Sequence, residues 1–158
     1  MDRYRMKMLT DVLLPELVQR LDPPPDPSRF IRAISEQLSS IVGLAPSTLE
    51  QAFQARLRHG LVSTPEGVAF PHAVVAGIKK TAIGCFLIPG GLLLDLDHDP
   101  SDLIFVLVGD AATPWQHVRF LARLSRIAAD EKARQSLRNC RTGNELLDAI
   151  LQEDRRHG

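Results

Sequence analysis

Leu103-Ile104-Phe105-Val106-Leu107-Val108 is six apolar residues in a row, preceded by Asp102 and followed by Gly109-Asp110. A strand wetted on one side alternates polar and apolar side chains, so a run with no polar face predicts a strand covered by helices on both sides. The run from Thr81 to Ile88 is also read as a strand and stops at Pro89-Gly90-Gly91, which has the look of a turn between strands.

Around these two runs the pattern is helical. From Pro27 to about Val42, the residues Phe30, Ile31, Ile34, Leu38 and Ile41 recur at helical spacing, and Gly43 offers the stop. Ser47 and Glu50 have capping-box spacing, and the helix they introduce should bury Leu49, Ala52, Phe53 and Leu57. Downstream of the central run, Thr113-Pro114-Trp115-Gln116 combines a capping threonine, a proline at the first helical position and a glutamine at the third. A second capping box, Thr142 to Glu145, opens a last helix with Leu146, Leu147, Ile150 and Leu151 on one face. At the other end, Leu9 to Leu21 is moderately apolar and closes at Pro23-Pro24-Pro25, a stiff bridge that no helix continues through. The order is helices, strands, helices, which predicts an α/β architecture: a small mixed β-sheet flanked by helices on both faces.

The chain has 158 residues, 44% hydrophobic and 24% charged, enough to bury one core, so residues 1–158 are expected to form one domain with residues 1–8 as a flexible lead. Nineteen basic residues balance nineteen acidic ones, so no long-range field favours nucleic acid or an anionic membrane. Asp2, Arg3, Arg5 and Lys7 break up the N-terminus, unlike a signal peptide, and no apolar run is long enough for direct membrane insertion. Cys85 and Cys140 lack paired metal-ligand spacing and suit a reduced, buried state, which places the expectation in the cytoplasm.

Two histidines stand out. His72 ends Gly67-Val68-Ala69-Phe70-Pro71-His72, where Pro71 argues against a regular helix or central strand, so the imidazole is expected on a loop at a strand end. An ordinary loop histidine is the plain alternative. His117 lies in the first turn of its helix and shares a face with Leu121, Leu124 and Ala128, which fits a core histidine. The positive end of a helix also favours an anion nearby and disfavours imidazolium.

Other chemistries find less support. Asp95, Asp97 and Asp99 alternate as in a calcium loop, but Pro100 falls where glycine is needed and Val106 where the terminal glutamate is needed, leaving a solvated acidic turn. His98 adds one ligand without a partner. No lysine or serine follows Gly90-Gly91 at phosphate-loop spacing, and no nucleophile elbow occurs. His72 and His117 lack an evident third ligand for a metal-dependent hydrolase. Arg56, Arg58 and His59 close a helix, where cations suit the negative dipole end.

The Gly67 to His72 hexapeptide, Asp102-Leu103-Ile104-Phe105-Val106-Leu107 and the later His117-x-x-x-Leu121-x-x-Leu124 together resemble the fructose/mannitol-type enzyme IIA family of the phosphotransferase system, which includes a nitrogen-regulatory, PtsN-like branch. The likeness runs from about Leu9 to the final helix. It implies that His72 is the phosphoryl acceptor and His117 the second histidine, which contacts the phosphoryl group. Arg56 aligns with the arginine that ends the family's preceding helix, and the start of the later helix at Thr113 would support the phosphate pocket. Leu57 stands where a glutamate usually follows the arginine, and Ala73-Val74 lack the basic residue that often follows the histidine. Without gaps, Leu61-Val62 replace a Ser-Thr pair; with a two-residue shift, Ser63 and Thr64 supply it. The implied donor is a phosphorylated histidine phosphocarrier protein of the HPr or NPr type, and the acceptor an enzyme IIB or a regulated transporter or kinase. No metal or organic cofactor is needed. A phosphotransferase component, a regulator that acts through protein binding, and an interaction domain that has lost phosphorylation are the three readings.

Overall fold

A computed structural model of the chain describes residues 8–60, 62–94 and 99–157. The expected flexible lead falls almost wholly on residues 1–7, and most of the acidic turn on residues 95–98, both outside the described residues.

The elements run α1 (Leu9–Val12), β1 (Leu13–Arg20), α2 (Pro27–Val42), α3 (Pro46–Arg58), β2 (Val68–Ala69), β3 (His72–Val75), β4 (Ala82–Leu92), β5 (Ser101–Asp110), α4 (Pro114–Ala129), α5 (Glu131–Arg138) and α6 (Gly143–His157). The sheet order is β1-β4-β5-β2, and β3 also pairs with β5. The pair β4 and β5 is antiparallel; β1 with β4, β2 with β5 and β3 with β5 are parallel.

The apolar run at Leu103 behaves as its pattern requires. Leu103, Phe105 and Leu107 join a core with Phe120, Leu124, Ile127, Leu137, Leu146 and Ile150 of α4, α5 and α6. Ile104, Val106 and Val108, the alternate residues, join the opposite core with Phe30, Ile34, Leu38, Leu49 and Phe53 of α2 and α3. Period-two alternation thus feeds two separate cores, and the sheet is covered on both faces.

Local signals account for the helix ends. Asp26 caps α2 by accepting from the Ser28 and Arg29 amides at 3.2 and 3.3 Å, and Gly43 ends it with φ of 77°, a left-handed turn that glycine adopts at no steric cost. The Thr142 to Glu145 box forms: the Glu145 amide donates to Thr142 Oγ1 at 3.1 Å, and the Thr142 amide to Glu145 Oε2 at 3.3 Å.

Four expectations are corrected. Most of the segment Leu9 to Leu21 is the strand β1, paired with β4, and only four residues are helical. The Ser47 to Glu50 box does not form, because Pro46 takes the first helical position with Ala45 as cap, which puts Ser47 already inside the helix. Glu50 pairs instead with Arg32 of α2 at 3.5 Å. Pro89-Gly90-Gly91 lies within β4, whose ladder with β5 shifts register after Leu87 and resumes at Leu92 opposite Ser101, so the glycines mark an irregularity in a strand. Finally, His72 is the first residue of β3, itself a short strand along β5.

Candidate functional site

Pro71 separates β2 from β3. Without an N–H it cannot donate to a ladder, so the edge strand breaks there and restarts one residue later at His72. The break is held from both sides. The Phe70 amide donates to the Val62 carbonyl at 2.8 Å, the Leu107 amide donates to the Pro71 carbonyl at 3.2 Å, and the Phe70 ring stacks on Phe105 with centroids 5.7 Å apart.

The His72 ring has two defined partners. Its Nδ1 lies 2.7 Å from the Phe70 carbonyl, which only accepts, so Nδ1 carries the proton. Nε2 then has the free lone pair and accepts from Arg56 Nε at 3.1 Å. The same guanidinium donates through Nη1 to the Gly60 carbonyl at 2.8 Å. Arg56 therefore does both things its position suggested, closing the end of α3 and reaching the histidine. Burial, the largest influence, lowers the pKa of His72; the Phe70 carbonyl pulls it up by less, and the Arg56 charge adds a still smaller lowering. The ring is neutral at pH 7, with a nucleophilic nitrogen turned toward a guanidinium.

His117 comes from the other side. Thr113 caps α4 from its expected place, though its hydroxyl makes no capping bond, and Pro114 occupies the first turn. Thr81 Oγ1 donates to Gln116 Oε1 at 3.1 Å, tying that turn to the residue before β4. The His117 ring is 5% exposed and its centroid stands 5.3 Å from that of His72, with the planes at 42°. Both of its nitrogens are buried and unpartnered among the described residues. Burial, and then repulsion from His72, push its pKa down to about 4.

Ser63 and Thr64 lie in a segment running antiparallel to β2, where Ser63 bridges Ala69 and the Thr64 amide donates to the Val68 carbonyl at 2.7 Å. Among the described residues neither hydroxyl is hydrogen-bonded to His72, and Thr64 Oγ1 is buried without a partner. Val62 is buried, and Leu61 lies outside the described residues. Leu57 lines a cavity of about 680 Å³ with Ser28, Ile31, Gln54, Arg58 and Leu94. That cavity contains neither histidine.

The exposure of the apolar residues next to the two histidines could not be read from the sequence. Val74, Trp115 and Val118 are exposed large apolar side chains, one two residues beyond His72 and the others on either side of His117. Their signal was present as apolar residues beside each histidine, but exposure depends on the packing of both elements. Among the described residues, Asp130, Glu153 and His157 form a carboxylate and imidazole group remote in sequence from the two histidines. Its oxygens are already engaged, since Arg156 bonds both Glu153 oxygens at 2.8 and 2.9 Å and His157 Nε2 lies 3.0 Å from Asp130 Oδ2.

Residues 12–153 match the family described as "Phosphoenolpyruvate-dependent sugar phosphotransferase system, EIIA 2". A nitrogen regulatory protein of Klebsiella oxytoca is 26% identical over 126 residues, covering 78% of this chain and 78% of that protein. Among solved structures, the nitrogen regulatory protein IIA-Ntr of Neisseria meningitidis superposes with a TM-score of 0.76 at 22% identity, covering 89% of this chain and 97% of that one. Enzyme IIAMTL of Escherichia coli, solved in complex with phosphorylated enzyme IIBMTL, superposes with a TM-score of 0.66 at 19% identity, covering 92% and 98%.

Proposed function

Given that this chain belongs to the EIIA 2 family of the phosphoenolpyruvate-dependent sugar phosphotransferase system, we propose that His72 is its phosphoryl acceptor and that His117 contacts the group once it is bound. The observation that carries this reading is the tautomer. A proton held on Nδ1 by the Phe70 carbonyl leaves Nε2 as the nucleophile, and Arg56 stands at that nitrogen where the charge of a phosphoryl group would appear.

The Nε2 lone pair attacks phosphorus as the nitrogen–phosphorus bond of a donor phosphohistidine breaks, and the donor ring keeps the electron pair of that bond. The His72 ring becomes an imidazolium, and the Phe70 carbonyl accepting from Nδ1–H stabilises its positive charge. Such a loose transition state asks the protein mainly to position groups and to balance charge on the equatorial oxygens. Arg56 exchanges its bond to Nε2 for bonds to those oxygens. His117, with both ring nitrogens unpartnered, offers a neutral N–H without losing any existing bond. The hydroxyls of Thr113, which makes no capping bond, and of Ser63 and Thr64 are further donors within the same set of loops.

The donor is a histidine phosphocarrier protein and the acceptor an enzyme IIB or a regulated protein. The exposed Val74, Trp115 and Val118 support a protein partner, because apolar side chains around a polar centre suit a docking face that excludes water during transfer. No helix among the described residues is long and apolar enough to cross a membrane. The nitrogen-regulatory reading is supported by the nitrogen regulatory relative, which is 26% identical over 78% of both chains.

The test supplies phosphoenolpyruvate, enzyme I and the phosphocarrier and follows label on the protein. Acid-labile label that disappears in His72→Ala is expected. Label that persists in that variant would overturn the assignment.

A further inference from the structure

Gly109 sits near the end of β5, paired with Val74, two residues beyond the Leu107 that pairs with His72. Residues two apart in a strand face the same side, so the missing Cβ of Gly109 faces the side on which His72 emerges. A Cβ built there would overlap Nδ1 of His117 and stand 2.8 Å from its Cγ and 3.0 Å from its Cβ. The φ of Gly109 lies outside the left-handed region, so its backbone is one that alanine adopts freely. Glycine is therefore required by the imidazole above the strand and not by the strand itself.

We propose that Gly109 is a positioning residue: the space left by its absent side chain is the seat of the His117 ring, and this seat sets His117 beside His72. The inference rests on the reading of His117 as a phosphate-contacting residue and adds what holds the ring in place. Two further contacts fix the seat. The Thr81 to Gln116 bond holds the first turn of α4 down on the sheet, and Phe120 and Leu124 of the same helix are buried in the core beneath it. A helix so anchored has one direction in which to send the His117 side chain, and only a residue without a side chain can lie under it. With no partner for either nitrogen among the described residues, the seated ring is held by shape and is free to bond an oxygen that arrives between the two histidines. Its depressed pKa accords with this withdrawn position.

The test is a double-mutant cycle on the full chain with Gly109→Ala, His117→Ala and the pair. The probes are the phosphorylated carrier for uptake, the dephosphorylated carrier for return transfer, and ring NMR of the histidines. In Gly109→Ala the His117 ring should be displaced, its titration midpoint should rise by at least about one pH unit, and return transfer should slow by about tenfold or more. In the His117→Ala background the same substitution should change transfer by less than about twofold, and it should lower the melting temperature less than it does in the parent. An unchanged His117 titration in Gly109→Ala, or equal slowing in both backgrounds, would overturn the proposal. Should Gly109→Ala fail to fold, recovery of folding in the double variant is the expected result, and failure of both counts against the seat. If the parent takes up no phosphate at all, the phosphocarrier reading fails, while the NMR and stability arms still decide whether Gly109 seats the ring.

Discussion

Arg56 donates through Nε to His72 Nε2 at 3.1 Å while its Nη1 holds the Gly60 carbonyl at 2.8 Å. One guanidinium thus spans the end of α3 and the proposed phosphoryl acceptor. Because it is planar and presents its donors as a fork, it can keep one bond to the helix end while another turns toward phosphate.

Replacing Arg56 should have two separable effects. In Arg56→Ala the His72 titration should move up, because the cation that adds to its depression is gone, yet stay below the ordinary value because burial is the larger cause. Phosphoryl uptake should fall by about 100- to 1,000-fold, as expected for one lost charge-stabilising donor. Arg56→Lys should restore the charge but not the fork, and rate measurements should place it between the two.

Acid should destabilise the fold through the histidine pair. Both rings titrate below 6.5 when folded, His117 at about 4. Between those values the unfolded chain binds more protons than the folded one, so stability rises with pH through this window, is complete above it, and is lost as pH falls toward 4. The contribution of His117 is at most about 3 kcal/mol. Denaturant titrations from pH 4 to 7 should show the slope, and His117→Ala should flatten it.

Arg138 clamps the turn before the site. It bonds both oxygens of Asp102 at about 2.9 Å and reaches the Glu66 carbonyl, joining the end of α5 to β5 and to the approach to β2. Arg138→Ala should cost about 1–2 kcal/mol because it leaves a half-buried carboxylate and a carbonyl without their donor. A melting temperature lowered by about 2–8 °C is the expected reading.

The thiols should be inert in the native state. Burial raises the pKa of Cys85 well above the ordinary range and raises that of Cys140 as well. Since the thiolate is the reactive form, a thiol reagent should label neither residue at a useful rate at pH 7 and both after unfolding.

Some of the architecture could be read directly from the order of residues. The unbroken run at Leu103 shows a doubly covered strand, and the boundaries of α2 follow from Pro27 and Gly43. β1 could not be read this way. Leu13-Leu14 and Leu17-Val18 are spaced as in a helix, but Leu13 and Val18 pack into one core and Leu14 and Leu17 into the other, with the register along β4 shifting between them. An irregular strand that feeds two cores imitates helical periodicity. The start of α5 is hidden in the sequence for a related reason: Asp130 ends one helix and caps the next, so no loop separates them.

The candidate site divides in the same way. His72, His117 and Arg56 stand out in the sequence because motifs and helix ends are local, and the resemblance of those motifs to a known family gives each residue an expected role. The tautomer of His72, the seat of His117 over Gly109, and the failure of Ser63 and Thr64 to bond His72 were decided only by tertiary structure. Each depends on which atom of one segment meets which atom of another, across separations in sequence from 2 residues between His72 and Phe70 to 16 between His72 and Arg56. Residue types and spacing determine what chemistry a chain can offer. The packing of α3, α4 and β5 around one broken edge strand determines which nitrogen is free to perform it.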